Sequence, residues 1–188
     1  MSLTVAPGSL EGLFTLRRTV RTDPRGSFAR LYEADTLREH CGIEKPVVHI
    51  NRSVTSGPGT VRGLHFQLPP YEEIKIVTCL SGTVFDVAVD IRPGSPTYLR
   101  HQAVELSGDE PVAFVIGEGF AHGFQVLSDC AELLYLHTAG YAPDAEGRLN
   151  VADPRIGISW PLPVSGLSDQ DRSAAMLADD AGPGSAET

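Results

Sequence analysis

Cysteine is scarce in this 188-residue chain. Cys41, Cys79 and Cys130 lie far apart and make no CxxC or zinc-ligand spacing, so neither a disulfide framework nor a thiolate metal site is expected. They read as reduced packing residues. Long apolar runs are missing too. No stretch approaches the roughly 20 residues of a membrane-spanning helix, and the opening MSLTVAPGSLEG lacks the basic and apolar regions of a signal peptide. The expected compartment is therefore the cytoplasm, with no membrane partner. Basic runs are also absent. A net charge of −9 offers no cationic surface to a nucleic acid. An anionic small ligand would need a local pocket of arginines instead.

The rest of the composition is that of a folded protein, with 41% hydrophobic and 21% charged residues. The length suits one domain, taken as residues 1–178, with an acidic, small-residue tail at Asp179–Thr188 that is expected to fray. Short strands punctuated by Gly and Pro dominate. They are expected at Leu13–Val20, Val47–Val54, Val61–Gln67, Ile74–Leu80, Thr83–Ile91, Tyr98–Leu106, Val112–Ile116, Gly123–Val126 and Ala131–His137. In the fifth, Phe85, Val87, Val89 and Ile91 alternate with Val84, Asp86, Ala88 and Asp90, a period of two. Helices are expected at Glu33–His40 and Arg172–Ala181. So many short strands in one domain predict an all-β sandwich or jelly-roll barrel with a few short peripheral helices.

The segment VRGLHFQLPPYEEIK carries the most chemistry. A hairpin centred on Pro70 would set His65 opposite Lys75 on one face. A base beside a cation is equipment for removing a proton next to a carbonyl and stabilising the enolate. A lone histidine is more often a satisfied core residue, but an inward lysine on an apolar strand is costly without a task. Strict alternation turns Arg62 to the opposite face, unless Gly63 hosts a bulge. His122, in GEGFAHGF, reads either as a turn histidine or, with His65, as part of a metal site. Metal-binding jelly rolls usually present an HxH pair. Here Gln67 takes the second position and Lys75 would repel a cation, so no metal is expected.

Tyr135, in AELLYLH, is either core or a general acid facing His65. Asp171, in LSDQDR, is either a helix cap or the carboxylate that orients His65, with Asp169 as the alternative. Arg25 and Arg62 are candidate phosphate binders by their guanidinium forks.

Taken together, DPRGSFAR, NRS, VRGLHFQ, Lys75, FDVAVDIRPGSPTY, EGFAHGF, Tyr135, YAP, DPRIGISWP and LSDQD resemble the dTDP-4-dehydrorhamnose 3,5-epimerase family, of cupin jelly-roll fold. The resemblance runs from about Leu13 to Asp171. It implies an isomerase without cofactor or metal, acting on a nucleoside-diphosphate 4-keto-6-deoxyhexose in deoxysugar biosynthesis. By that analogy His65 removes the proton from carbon 3 or carbon 5, Asp171 is its partner, Lys75 stabilises the enolate and Tyr135 returns a proton. His49, Asn51, Arg62, His122 and Tyr141 would line the sugar and phosphate pocket. Arg25 and Phe28 would hold the nucleotide, reaching into a neighbouring subunit of a homodimer.

The chain also departs from the family's usual pattern. It has His49-Ile50-Asn51 for QxN, Glu73 for a glutamine and Ala29-Arg30 where a glutamate is frequent. Gly140 stands for a tyrosine, Val151 for a tryptophan, and Leu99-Arg100-His101 for GxW. These changes bear on the substrate more than on the reaction. A metal-dependent cupin and a non-catalytic sugar-nucleotide binder are the competing readings.

Overall fold

The apolar residues of the central strands are buried on both faces, and the layering explains why. The computed structural model describes residues 3–177. In chain order the strands are β1 (Leu3–Pro7), β2 (Leu13–Arg18), β3 (Val20–Asp23), β4 (Gly26–Ala29), β5 (His49–Ser56), β6 (Val61–Gln67) and β7 (Lys75–Ser81). They continue with β8 (Thr83–Asp90), β9 (His101–Ser107), β10 (Val112–Ile116), β11 (Phe120–Val126), β12 (Cys130–His137) and β13 (Glu146–Arg148). Two helices accompany them, α1 (Ala34–Cys41) and the one-turn α2 (Asp169–Arg172).

A six-stranded sheet, β1-β2-β10-β7-β12-β5, faces a five-stranded sheet, β13-β6-β11-β8-β9. The pair is the expected jelly-roll sandwich. Phe114, Leu133, Phe124 and Val84 fill the space between the sheets. Leu64, Val87, Val89 and Ile156 pack the outer face of the five-stranded sheet beneath the segment around 149–160. Leu16, Ile76, Val115 and Leu37 of α1 cover the other outer face. The period-two residues of β8 thus divide between two apolar layers, Val84 and Ala88 inward, Val87 and Val89 outward.

Differences from the sequence expectations have local causes. The first expected strand breaks after Arg18, and β3 and β4 leave the sandwich as a separate hairpin. Residues 98–100 form turns in which Leu99 takes φ 64°, so β9 starts only at His101. The DIRPG segment closes this corner. Asp90 accepts hydrogen bonds from Arg92 Nη2 at 2.7 Å and from the hydroxyls of Ser95 and Thr97 at 2.6 Å. Burial works against ionisation of Asp90, but these donors outweigh it and hold the carboxyl far below its usual range. The helix expected at Arg172–Ala181 instead ends at Arg172, having started at Asp169 with Ser168 as its cap. Residues 173–177 continue without helix, and 178–181 lie outside the described residues, as does the tail at 179–188. His122 is on strand β11, not in a turn.

The predicted hairpin at Pro70 does not form. β6 pairs with β11 and β13 in one sheet, while β7 pairs with β10 and β12 in the other. The linker crosses from sheet to sheet instead of folding back. Cys79 is buried, and burial pushes its thiol up to about 11. Cys41 is partly buried, but Cys130 is exposed and is not the packing residue expected. No helix of the described residues is long and apolar enough to cross a membrane.

Candidate active site

His65 and Lys75 meet although their strands do not pair. Each projects from its own sheet into the gap between the two, and Lys75 Nζ donates to the His65 carbonyl oxygen at 3.3 Å. Their cavity, of about 280 Å³, is also lined by Asn51, Ser53, Arg62, Glu73, His122, Tyr135, His137 and Tyr141.

A bulge turns Arg62 into that cavity. His65 pairs with His122, but Arg62 pairs with Phe124, so Gly63 and Leu64 together oppose Gly123. Gly63 has φ 138°, and a Cβ there would stand 2.6 Å from the Cα of Gly123. Only glycine meets both demands. The bulge puts Arg62 and His65 on one face, where Arg62 Nε donates to Thr55 Oγ1 at 2.8 Å.

The bulge also prepares the partner of His65. Asp171 Oδ1 lies 2.7 Å from His65 Nε2, and the carboxylate takes a further hydrogen bond from the Gly63 amide. Asp171, the third residue of α2, is buried and meets His65, whereas Asp169, the first, is exposed. Arg148, opposite His65 on β13, adds an ion-pair contact of 3.4 Å to Asp171. Burial drives the His65 imidazole below its usual value, and Asp171 opposes but does not cancel this. Burial raises Asp171, yet the hydrogen bond from His65 and its other contacts leave it below the usual carboxylate range. With Nε2 held by Asp171, Nδ1 is the nitrogen free to accept a proton.

The facing wall comes from β12. Tyr135 is partly buried, with its hydroxyl 3.3 Å from Ser53 Oγ, and burial drives the phenol far above its usual value. It therefore holds its proton at neutral pH. Its ring meets that of His122 edge-on at 6.1 Å. His122 Nε2 lies 2.9 and 3.0 Å from the two oxygens of Asp86, whose carboxyl is raised by complete burial. Lys75 Nζ is 3.2 Å from Glu73 Oε1, and Glu73 Oε2 is 2.8 Å from His137 Nδ1.

Of the remaining expected residues, Asn51 and Tyr141 reach the cavity. Tyr141 sits at its mouth, mostly exposed, its hydroxyl donating to Glu146 at 2.8 Å. Gln67 ties down the loop leading there, through the Ala142 amide at 2.7 Å and the Gly140 carbonyl at 3.2 Å. His49 pairs with His137 in register but is exposed and outside the cavity lining. Arg25 and Phe28 are on the β3–β4 hairpin, away from the cavity. Arg25 pairs with Asp23 at 2.7 Å, and Phe28 is 62% exposed. Asp86, Arg148 and His137 went unremarked in the sequence. Period two gave Asp86 only a strand position, and nothing local distinguished the other two.

Comparison with known proteins establishes the family. Residues 7–179 match the family model described as dTDP-4-dehydrorhamnose 3,5-epimerase. The chain belongs to this family. A dTDP-4-dehydrorhamnose 3,5-epimerase of Streptomyces griseus is 43% identical over 175 residues, spanning 92% of this chain and 86% of the relative. A dTDP-4-dehydrorhamnose 3-epimerase of Streptomyces niveus is 39% identical, over 92% of this chain and 83% of the relative. The crystal structure of an epimerase from Legionella pneumophila in complex with dTDP-4-keto-L-rhamnose superposes with a TM-score of 0.88. It has 38% sequence identity, over 93% of both chains. The family membership and the shared fold bear out the isomerase and cupin readings of the sequence.

Proposed function

We propose that this epimerase-family chain acts on a dTDP-4-keto-6-deoxyhexose, removing and returning protons at carbon 3, carbon 5 or both, with His65 as the base. The observation that carries the assignment is the His65–Asp171 pair at 2.7 Å, facing the protonated Tyr135 across one cavity. Both carbons flank the 4-keto group, so loss of either proton gives an enolate on the same oxygen. His65 Nδ1 takes the proton, the C–H electron pair moves into a carbon–carbon double bond, and O4 gains the charge. The buried Lys75 ammonium stabilises that charge. Tyr135 then delivers its proton from the other wall, the carbonyl re-forms and the centre is inverted. Arg62 keeps N–H groups for the diphosphate beyond its bond to Thr55.

Exchange in deuterated water tests the whole assignment. The protein is incubated with dTDP-4-keto-6-deoxyglucose, and NMR reads which carbons gain deuterium. No exchange at either carbon would leave a sugar-nucleotide binder. Tyr135→Phe separates the two half-reactions. It should still wash protons into solvent while inversion falls at the carbon that Tyr135 serves. If exchange and inversion fall together, Tyr135 positions substrate instead.

The titration of His65 sets the acid limb. A base must be neutral, so activity falls as pH drops through its pKa. Because burial lowers that pKa, the limb should lie at lower pH than for an ordinary histidine. Asp171→Asn removes the anion that raises it, so the limb should move lower still while the maximum rate falls. An unmoved limb would separate Asp171 from His65 in function.

The cavity's histidines each pair with their own carboxylate, and among the described residues no three His, Cys, Asp or Glu side chains are grouped as metal ligands. Activity should therefore survive chelation. Loss on chelation, restored by one metal, would favour the metal-dependent reading.

The homodimer belongs to this proposal. The β3–β4 hairpin, with Phe28 exposed at 62%, is suited to reach a partner's cavity, where Arg25 would meet phosphate and Phe28 the nucleoside. On the edge strand β5, Ile50 is 65% exposed, an apolar surface that a second copy would cover. Neither a nucleic acid nor a membrane is a proposed partner, and the cytoplasm is the proposed location.

A further inference from the structure

The wall opposite His65 carries a second histidine held by its own carboxylate. His137 Nδ1 is 2.8 Å from Glu73 Oε2, and its ring lines the cavity. Nε2 has no protein hydrogen bond among the described residues, so it is the nitrogen left for a ligand. His137 follows Tyr135 by two positions on β12 and shares its face; the rings stack with centroids 6.0 Å apart and planes 24° from parallel. In register His137 stands directly opposite Lys75.

Resting on the epimerase reading, we propose that His137, oriented by Glu73, is a second proton donor of this site, serving one of the two reacting carbons while Tyr135 serves the other. Inversion at both carbons needs two deliveries to the ring face turned away from His65. After one delivery Tyr135 is a phenolate in a site whose burial strongly disfavours it, so a second donor removes the need to reload it between steps. His137 has the equipment for the task. Glu73 is mostly buried and contacts a cation or imidazole at each oxygen. Burial raises its carboxyl, but His137 and Lys75 bring it below the usual range, so it stays anionic beside the ring. The carboxylate at Nδ1 fixes the direction of the ring and leaves Nε2 toward the cavity.

The step balances. Imidazolium Nε2–H gives its proton to the enolate carbon, the double-bond pair forms the new C–H bond, and the 4-keto group returns. Neutral His137 keeps its Nδ1 proton on Glu73 and regains the other from solvent. Glu73 acts through His137 and is a positioning residue.

Deuterated water and dTDP-4-keto-6-deoxyglucose also test this, with the ratio of inverted product to exchanged substrate read separately at carbons 3 and 5. His137→Gln should lower the ratio at one carbon by on the order of a hundredfold and leave the other within about threefold. Tyr135→Phe should do the reverse. Glu73→Gln, which keeps an acceptor but loses the charge, should lower the ratio at the His137 carbon, and it carries the test if the His137 variant does not fold. Ratios equal to those of the unmodified protein at both carbons would overturn the proposal. So would a Tyr135→Phe protein that loses inversion at both. Absence of exchange in the unmodified protein would remove the epimerase reading itself.

Discussion

His65→Asn should give a folded protein that no longer exchanges substrate protons with solvent. Asparagine can still hydrogen-bond to Asp171, so α2 keeps its anchor, but it has no nitrogen able to accept a proton. Losing a general base costs on the order of a hundredfold to ten-thousandfold in rate. Exchange close to that of the unmodified protein would sink the assignment, because no other cavity histidine is free to replace it in place. His122 faces Asp86 with Nε2 and is walled in, and His137 lies on the opposite wall. An inactive variant that binds dTDP normally would place the loss in chemistry rather than in the pocket.

Lys75→Met should cost about a hundredfold to a thousandfold in exchange, the usual effect of losing a group that stabilises a developing oxyanion. It should also destabilise the fold. Lys75 and Glu73 are both nearly buried and 3.2 Å apart, and removing one member of such a pair leaves the other uncompensated, at about 3 kcal/mol. The double variant Lys75→Met/Glu73→Gln separates the two effects. It should regain stability without regaining rate. If the rate returns with stability, Lys75 is there for the fold.

The sequence made the jelly roll legible because its strands are short, frequent and punctuated by Gly and Pro. It also put His65 and Lys75 in one place, but for a mistaken reason. His65 and Lys75 were placed together by a hairpin that does not exist. Their strands lie in opposite sheets, and the sandwich, not a turn, brings them together. The face of Arg62 depended on a bulge at Gly63 that the glycine permitted but could not dictate. Asp86, Arg148 and His137 escaped notice because their partners are distant along the chain. Asp86 and His122 are separated by 36 positions, and Glu73 and His137 by 64. Pairings of that kind come from tertiary packing, which period-two patterns do not encode. The DIRPG motif carried a signal of another sort, since its polar residues satisfy Asp90 and shape a corner far from the chemistry.

The carboxylate that completes the base arrives on the last helix described, a single turn. Such a turn has little stability of its own. It is held by the Ser168 cap, by the bond between Asp171 and His65, and just beyond by the Leu177 amide on Asp153 at 2.6 Å. The two sheets depend on none of these. Catalytic competence should therefore be more fragile than shape: on warming, this end is expected to open before the sandwich does, so activity should be lost at a lower temperature than the one at which the sheets melt.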